Sequence, residues 1–215
     1  MEDDEFQDAV TYSQRLMKEI TDDETIQLFK DKNLSHVIEI LRTHKGPMTV
    51  LMFEEEFKKI DPEKKGKSVK TIYRYLKDLE VAGLVAQAGK RVFPSGKTQT
   101  LYMRSAKVFY IVKPEEEEEA CPEEKKMTEA VGISIGKKMN LRLKSVACLE
   151  KFLRRFKAQY SSYPREIIKN AEDEITHLLE DFDFESSKRF IEMISLLALL
   201  NDRIEWQTDL KKCFE

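Results

Sequence analysis

The chain has 215 residues, of which 41% are hydrophobic and 36% charged, with only 7 Gly and 6 Pro. This composition is typical of a helix-rich protein with a folded core and excludes a largely disordered chain. The net charge of −3 does not by itself favour a polyanionic partner, so the distribution of charge along the chain matters more than its sum.

The first 32 residues are predicted to form an N-terminal helical arm. Phe6, Val10, Leu16 and Ile20 recur at helical spacing, which predicts one helix over about residues 5–20. The cluster "TDDE" then offers capping side chains for a second short helix that begins near Thr25.

Residues 33–112 read as three helices followed by a hairpin. "NLSHVIEILRTHKG" and "MTVLMFEEEFKKI" each carry one apolar face, and Thr49 is a candidate cap for the second of them. The third helix opens at Ser68 and ends at Gly83, after the turn "DPEKKGK". β-favouring residues then alternate on both sides of "PSGK", which predicts a β-hairpin.

The same 80 residues are basic within an acidic chain. They hold 15 Lys and Arg against 8 Asp and Glu, and between Lys64 and Lys107 the only carboxylates are those of Asp78 and Glu80. A basic block between acidic flanks is the asymmetry expected of a module that meets a polyanion.

The third helix separates into two faces at 100° per residue. Val69, Ile72, Leu76 and Leu79 fall within roughly 80° and form the stripe expected to be buried. The opposite side and its flanks carry long basic donors, tyrosines and two short hydroxyl donors near the helix start, where a phosphate is favoured. Together with the hairpin they give these candidate DNA-binding residues: Lys67, Ser68, Lys70, Thr71, Tyr73, Arg74, Lys77, Lys90, Arg91 and Lys97.

The remaining residues divide into a linker and a helical half. Residues 113–126, "KPEEEEEACPEEKK", lack periodicity and are predicted to be an acidic linker, either a solvated spacer or a segment that competes with DNA for the hairpin. Residues 127–215 are predicted to form a helical dimerisation domain, from helical patterns at about 124–161, 164–181 and 186–214. In this interpretation Pro164 starts a helix. The helical half either only dimerises or also encloses a small-molecule effector pocket that changes the spacing of two reading helices.

Cysteine usage and the chain start bear on the compartment. Cys121, Cys148 and Cys213 are odd in number and far apart, which predicts neither a disulfide framework nor a metal-binding pair, and Cys148 is interpreted as a buried thiol without a partner. The acidic start is unlike a signal peptide, and "SLLALL" is too short to cross a membrane. We therefore expect a cytoplasmic, nucleoid-associated protein with no membrane partner.

Catalytic motifs are missing from the sequence. It has no Gly-rich phosphate loop, nucleophile elbow or pair of acids at catalytic spacing, and its three histidines are scattered. We therefore expect no enzyme, no cofactor and no metal site.

"SVKTIYRYLKDLEVAGLV" followed by "TLYMRSAKVFYI" resembles the archaeal ArsR-like winged helix-turn-helix transcriptional regulators. The resemblance covers residues 33–112 and implies a dimeric regulator that reads a pseudo-palindromic operator. It also implies that Lys70, Thr71, Tyr73 and Arg74 occupy base-reading positions. The third helix lacks the cysteine pair of the metal-sensing members, so metal sensing is not expected.

These observations predict a mainly α fold with a small β-hairpin wing: a winged helix-turn-helix domain plus a C-terminal helical dimerisation bundle. The predicted function is sequence-specific binding of double-stranded DNA by a homodimer joined through its C-terminal helices. The alternatives are a winged-helix protein-interaction scaffold without specific DNA readout and a winged helix that binds RNA.

Overall fold

The computed structural model describes residues 5–44, 46–60, 66–112 and 121–215, without the side chains of residues 172 and 173. The fold is mostly helical with a small antiparallel sheet. The chain divides into two compact units, which are described separately. The first comprises Met1–Pro114 and Thr176–Ser187, and the second comprises Glu115–Ile175 and Lys188–Glu215.

The N-terminal arm is not the helix predicted over residues 5–20. It forms two strands, β1 (Gln7–Val10) and β2 (Arg15–Ile20). Tertiary pairing overrides the local spacing here, because each strand finds a partner about 80 to 90 residues away in sequence. The short second helix is confirmed as α1 (Asp23–Leu28), and the Asp22 side chain accepts a hydrogen bond from the Thr25 amide at 2.7 Å.

The three central helices are confirmed as α2 (Lys32–Thr43), α3 (Val50–Ile60) and α4 (Val69–Val81). Each places its apolar stripe in one shared core, as amphipathic spacing requires. The central side chains of this core are at most 2% exposed: Val37, Met48, Phe53, Ile72, Leu76, Leu79, Leu84 and Val85.

The hairpin is confirmed, and it gains a third strand that the sequence did not predict. β3 (Val85–Val92) and β4 (Thr98–Arg104) pair antiparallel, and β1 pairs antiparallel with the other edge of β3. The close approach depends on Gly89, whose φ is +150° and whose Cβ, if present, would lie 1.9 Å from the carbonyl oxygen of Ala9. β5 (Ala106–Ile111) follows and pairs in parallel with β2.

The second unit contains α5 (Pro122–Met139), α6 (Val146–Ile175), α7 (Phe184–Asn201, of which Lys188 onward belongs to this unit) and α8 (Arg203–Lys211). The first predicted helical pattern is interrupted, because Asn140 adopts a left-handed conformation with φ of 55° and ends α5. α5 starts inside the predicted linker of 113–126, and residues 113–120 of that linker lie outside the described residues.

The prediction that Pro164 starts a helix is wrong. Pro164 lies in the interior of α6, where it removes one backbone donor. Its ring is fully buried, and the neighbouring Tyr163 and Ile168 are buried with it. Packing therefore overrides the local preference of proline for a helix start.

A disulfide joins Cys148 to Cys213, which corrects the expectation of unpaired cysteines. The two residues are 65 positions apart in sequence, yet their Cα atoms are 5.4 Å apart, because the chain end returns beside the start of α6. An isolated backbone bridge between Leu143 and Phe214 holds the chain end in place. Cys121 is the free, exposed cysteine.

Within the described ranges, no helix is both long and apolar enough to cross a membrane.

Candidate nucleic-acid interface

The N-terminus of α4 is fixed by its own side chains. The Ser68 Oγ accepts a hydrogen bond from the Thr71 amide at 3.2 Å and lies 2.9 Å from the Thr71 Oγ1. Gly66 precedes it with φ of +64°, and a Cβ there would lie 2.9 Å from the Cγ of Lys58. Ser68 and Thr71 therefore cap the helix. A ligand could contact their hydroxyls only while these capping interactions are kept.

The buried face of α4 matches the predicted stripe. Ile72, Leu76 and Leu79 are completely buried, and Val69 packs against the same core from its edge. Tyr75 is also buried, at 8% exposed, so it supports the helix and does not flank the opposite face as predicted. This packing fixes the rotation of α4 and so determines which side chains face solvent.

The solvent face of α4 carries a continuous set of donors, which we call the basic edge: Lys70, Tyr73, Arg74 and Lys77, all exposed. None of the carboxylates in the described part of the chain pairs with the three cations of this edge. The Arg74 guanidinium lies 5.5 Å from the centre of the Tyr75 ring, which holds it along the helix without neutralising it. Lys67 is half-buried before the cap, and the preceding lysines at 64 and 65 lie outside the described residues.

The hairpin supplies a second group of cations. The turn closes by hydrogen bonds from the Phe93 amide to the Lys97 carbonyl at 3.0 Å and from the Gly96 amide to the Phe93 carbonyl at 2.8 Å. Gly96 has φ of +76° and open space around its Cβ position, as expected at an exposed turn. Lys90 and Lys97 are exposed on this hairpin.

Arg91 differs from the other predicted contacts because it is paired within the protein. Its guanidinium donates to both carboxylate oxygens of Asp8, at 2.7 and 2.8 Å, and lies 3.8 Å from the centre of the Phe6 ring. Its hydrogen bond to Asp8 raises the pKa of Arg91, and the same bond lowers the pKa of the Asp8 carboxyl. The structure thus brings Lys90 and Lys97 to the free surface of the hairpin and commits Arg91 to β1.

The far end of α4 is anchored by a cation that the sequence did not single out. The Lys18 Nζ donates to the Gly83 carbonyl at 2.6 Å, and the Ser105 Oγ donates to the same oxygen at 2.6 Å. Burial first, and the nearby Arg15 second, lower the pKa of Lys18. α4 is therefore held at its end by β2, the strand that sequence reasoning had assigned to a helix.

Lys107 is a second anchoring cation that the sequence did not single out. It is 8% exposed, and its Nζ donates to the carbonyls of Leu179, Glu180 at 2.6 Å and Phe182 at 2.8 Å. Burial lowers the pKa of Lys107 against the attraction of neighbouring carboxylates. These bonds attach residues 176–187, which belong to the first unit, to β5 of the same unit.

Arg104 lies in the same region and is 5% exposed. It faces the rings of Phe109 at 4.7 Å and Phe184 at 5.5 Å, and Arg42 lies 5.0 Å from the Phe184 ring. Burial first, and the charge of Arg42 second, lower the pKa of Arg104 to about 10. Arg104 is buried among these rings, so it is not part of the basic edge.

The described side chains contain no group of three or more His, Cys, Asp or Glu residues placed to hold a metal ion.

No protein-family model matches the sequence, and no curated protein matches it either.

Proposed function

We propose that this chain is a sequence-specific regulator that binds double-stranded DNA as a homodimer, with α4 as its reading helix. The observation that carries the proposal is the basic edge of α4, an exposed row of cations that no carboxylate among the described residues pairs with, beside a hairpin that carries the exposed Lys90 and Lys97. Lys and Arg at such positions suit both phosphates and base edges.

The order of elements supports the same assignment. α3 precedes α4, and an antiparallel hairpin follows directly, which is the arrangement of a winged helix-turn-helix. In that arrangement the N-terminal half of α4 enters the major groove, with Lys70 and Arg74 one turn apart. The hairpin then lies along the adjacent backbone, where Lys90 and Lys97 contact phosphates.

Arg91 takes no part in the proposed DNA contact. Its guanidinium already donates to both carboxylate oxygens of Asp8, so a phosphate at the hairpin would have to displace this bidentate pair. The hairpin therefore contributes two cations per protomer, one fewer than the sequence predicts.

The proposed dimer is joined through the C-terminal helices, so that two copies of α4 meet two half-sites of an operator. DNA binding would place the chain in the cytoplasm beside the nucleoid. The Cys148–Cys213 disulfide removes the cysteine-based reason for a reducing compartment, so this localisation rests on the proposed ligand alone.

Titration of labelled duplex pools with the full chain tests the proposal. Lys70→Ala or Arg74→Ala is expected to weaken binding to a selected duplex by about 1 to 3 kcal/mol if the side chain reads a base. Lys30→Ala removes the same charge from an exposed position away from the basic edge and serves as the matched control.

The other outcomes separate the competing functions. Retention of a protein partner at high salt, with no duplex bound at low salt, would instead support a winged-helix scaffold. Competition by double-stranded or single-stranded RNA but not by DNA would support an RNA-binding protein.

A further inference from the structure

An apolar stripe runs along α7 to its junction with α8. Its four side chains and Ile204 beyond them are each more than half exposed, between 51% and 73%: Met193, Leu196, Leu197, Leu200 and Ile204. At 100° per residue the four on α7 fall within roughly 100° of one another, so they form one face. The other side of α7 is packed, because Ile191 and Ser195 are buried.

The stripe reaches the junction of the two helices. The Asp202 amide donates to the Ala198 carbonyl at 3.3 Å, and the Trp206 amide donates to the Asp202 carbonyl at 3.3 Å. Asp202, with φ of −92° and ψ of 11°, separates α7 from α8, so the stripe consists of Met193, Leu196, Leu197 and Leu200 on α7, and Ile204 lies just beyond the junction.

We propose that a second copy of this chain covers the stripe, with α7 packed antiparallel against α7 around a two-fold axis near Leu197. Single exposed apolar side chains need no partner, but Met193 and three leucines side by side on one helix face form a patch of the kind that marks an interface. This interface names the surface that joins the proposed dimer. Only its role in placing two copies of α4 on two half-sites rests on the proposed function.

Charge complementarity selects a second copy and an antiparallel arrangement. Glu192 and Arg203 are both exposed; Glu192 lies at the start of the stripe, and Arg203 lies just beyond its end. Antiparallel pairing places Glu192 beside Arg203 of the partner subunit, and the two-fold axis repeats this contact. Parallel pairing would instead leave Glu192 and Arg203 at opposite ends of the interface, without this contact. Glu192 lies 3.8 Å from Lys188 of its own helix, a weak exposed pair that does not compete strongly.

The mass of the full chain in solution, measured by sedimentation equilibrium without DNA, tests the interface. The wild-type chain is expected to be a dimer. Leu197→Glu is expected to raise the dimer dissociation constant by at least ~100-fold, because it removes a buried leucine and adds a carboxylate on each side of the axis. Leu197 is 59% exposed in the protomer, so this change should leave the far-ultraviolet circular dichroism unchanged.

Val131→Glu is the matched control. Val131 is an exposed apolar residue of α5, at 42%, and it lies outside the stripe. It should leave the dimer intact. Dissociation by Val131→Glu but not by Leu197→Glu would assign the interface to α5 and overturn the proposal, as would a wild-type chain that stays monomeric at the highest concentration measured.

Crosslinking tests the direction of packing. In a Cys121→Ser background, Leu197→Cys is expected to form an intermolecular disulfide on oxidation, whereas Met193→Cys is not. Antiparallel packing separates the two copies of residue 193 by about 12 Å along the helices, beyond disulfide reach. Efficient crosslinking at both positions would show parallel helices and refute this geometry. None of these measurements involves DNA, so the interface and the proposed DNA binding can fail independently.

Discussion

The clearest test of how the first unit is assembled is the substitution Lys107→Met. The side chains are similar in length, and methionine keeps the apolar stem while it removes the ammonium that donates to three carbonyls. The change therefore isolates the hydrogen bonds that attach the segment between α6 and α7.

The expected loss follows from the partners left behind. The Leu179 carbonyl keeps the Phe182 amide as a donor at 3.0 Å, but the carbonyls of Glu180 and Phe182 have no other donor among the described residues. Hydrogen bonds to a charged group contribute about 1.5 to 3 kcal/mol each, and water can reach the exposed Glu180. Removing the ammonium also recovers the desolvation cost that lowers the pKa of Lys107. We expect a net loss of about 2 to 3 kcal/mol.

Urea unfolding measures the loss, and amide hydrogen exchange localises it to residues 176–187. Lys90→Met is the matched control, because Lys90 is exposed on the hairpin and should change stability by no more than about 0.5 kcal/mol. If Lys107→Met is as stable as the control variant, or if exchange in residues 176–187 is unchanged, the three hydrogen bonds do not hold this segment.

Two further predictions concern the other cross-chain links. The hydrogen bond to Arg91 lowers the pKa of Asp8 from its ordinary value of 3.8. The pair is expected to stabilise the fold by about 1 kcal/mol. This stabilisation is fully present above pH 3.8 and is lost as the pH falls through the lowered pKa of Asp8. Amide exchange in β1 should accelerate on acidification in the wild-type chain, and Asp8→Asn should show the fast exchange already at neutral pH; an unchanged exchange rate in the variant would refute the role of the pair. The Cys148–Cys213 disulfide closes a loop of 65 residues, so loop-closure entropy predicts that Cys148→Ser with Cys213→Ser destabilises the second unit by about 4 kcal/mol. Urea unfolding with and without reductant measures this, and equal midpoints for oxidised and fully reduced protein would contradict it.

The elements that the sequence predicted correctly are those whose signals are local. The structure of α4 follows from a stretch of fewer than 20 residues. That stretch contains both the apolar stripe of Ile72, Leu76 and Leu79 and the Ser68 cap. The hairpin likewise follows from the alternation on both sides of one turn signal.

The elements that the sequence did not predict depend on partners far along the chain. β1 and β2 have weak local patterns, and they become strands only because β3 and β5 offer them an edge. The pairing of Arg91 with Asp8 spans 83 residues, and the anchoring of Lys107 spans more than 70. The sequence alone does not show whether a basic residue will be exposed to solvent or paired with a residue of the same protein.

The disulfide likewise depends on residues far apart in the sequence. The spacing of Cys148 and Cys213 matches no local motif, and only the return of the chain end to α6 brings the two residues within bonding distance. Pro164 was placed at a helix start because local preference favours proline there. Its burial inside α6 depends on packing, which local preference does not describe.

The salt dependence of duplex binding tests the central claim most directly, because it counts the cations that meet phosphates. In a dimer, Lys97→Ala should reduce the slope of log K against log salt concentration by about 1.8, from two lost phosphate contacts. Arg91→Ala should leave that slope unchanged, since Arg91 is paired with Asp8. A chain that binds no duplex at low salt, or whose slope is insensitive to Lys97→Ala and Lys70→Ala, would contradict the proposed interface.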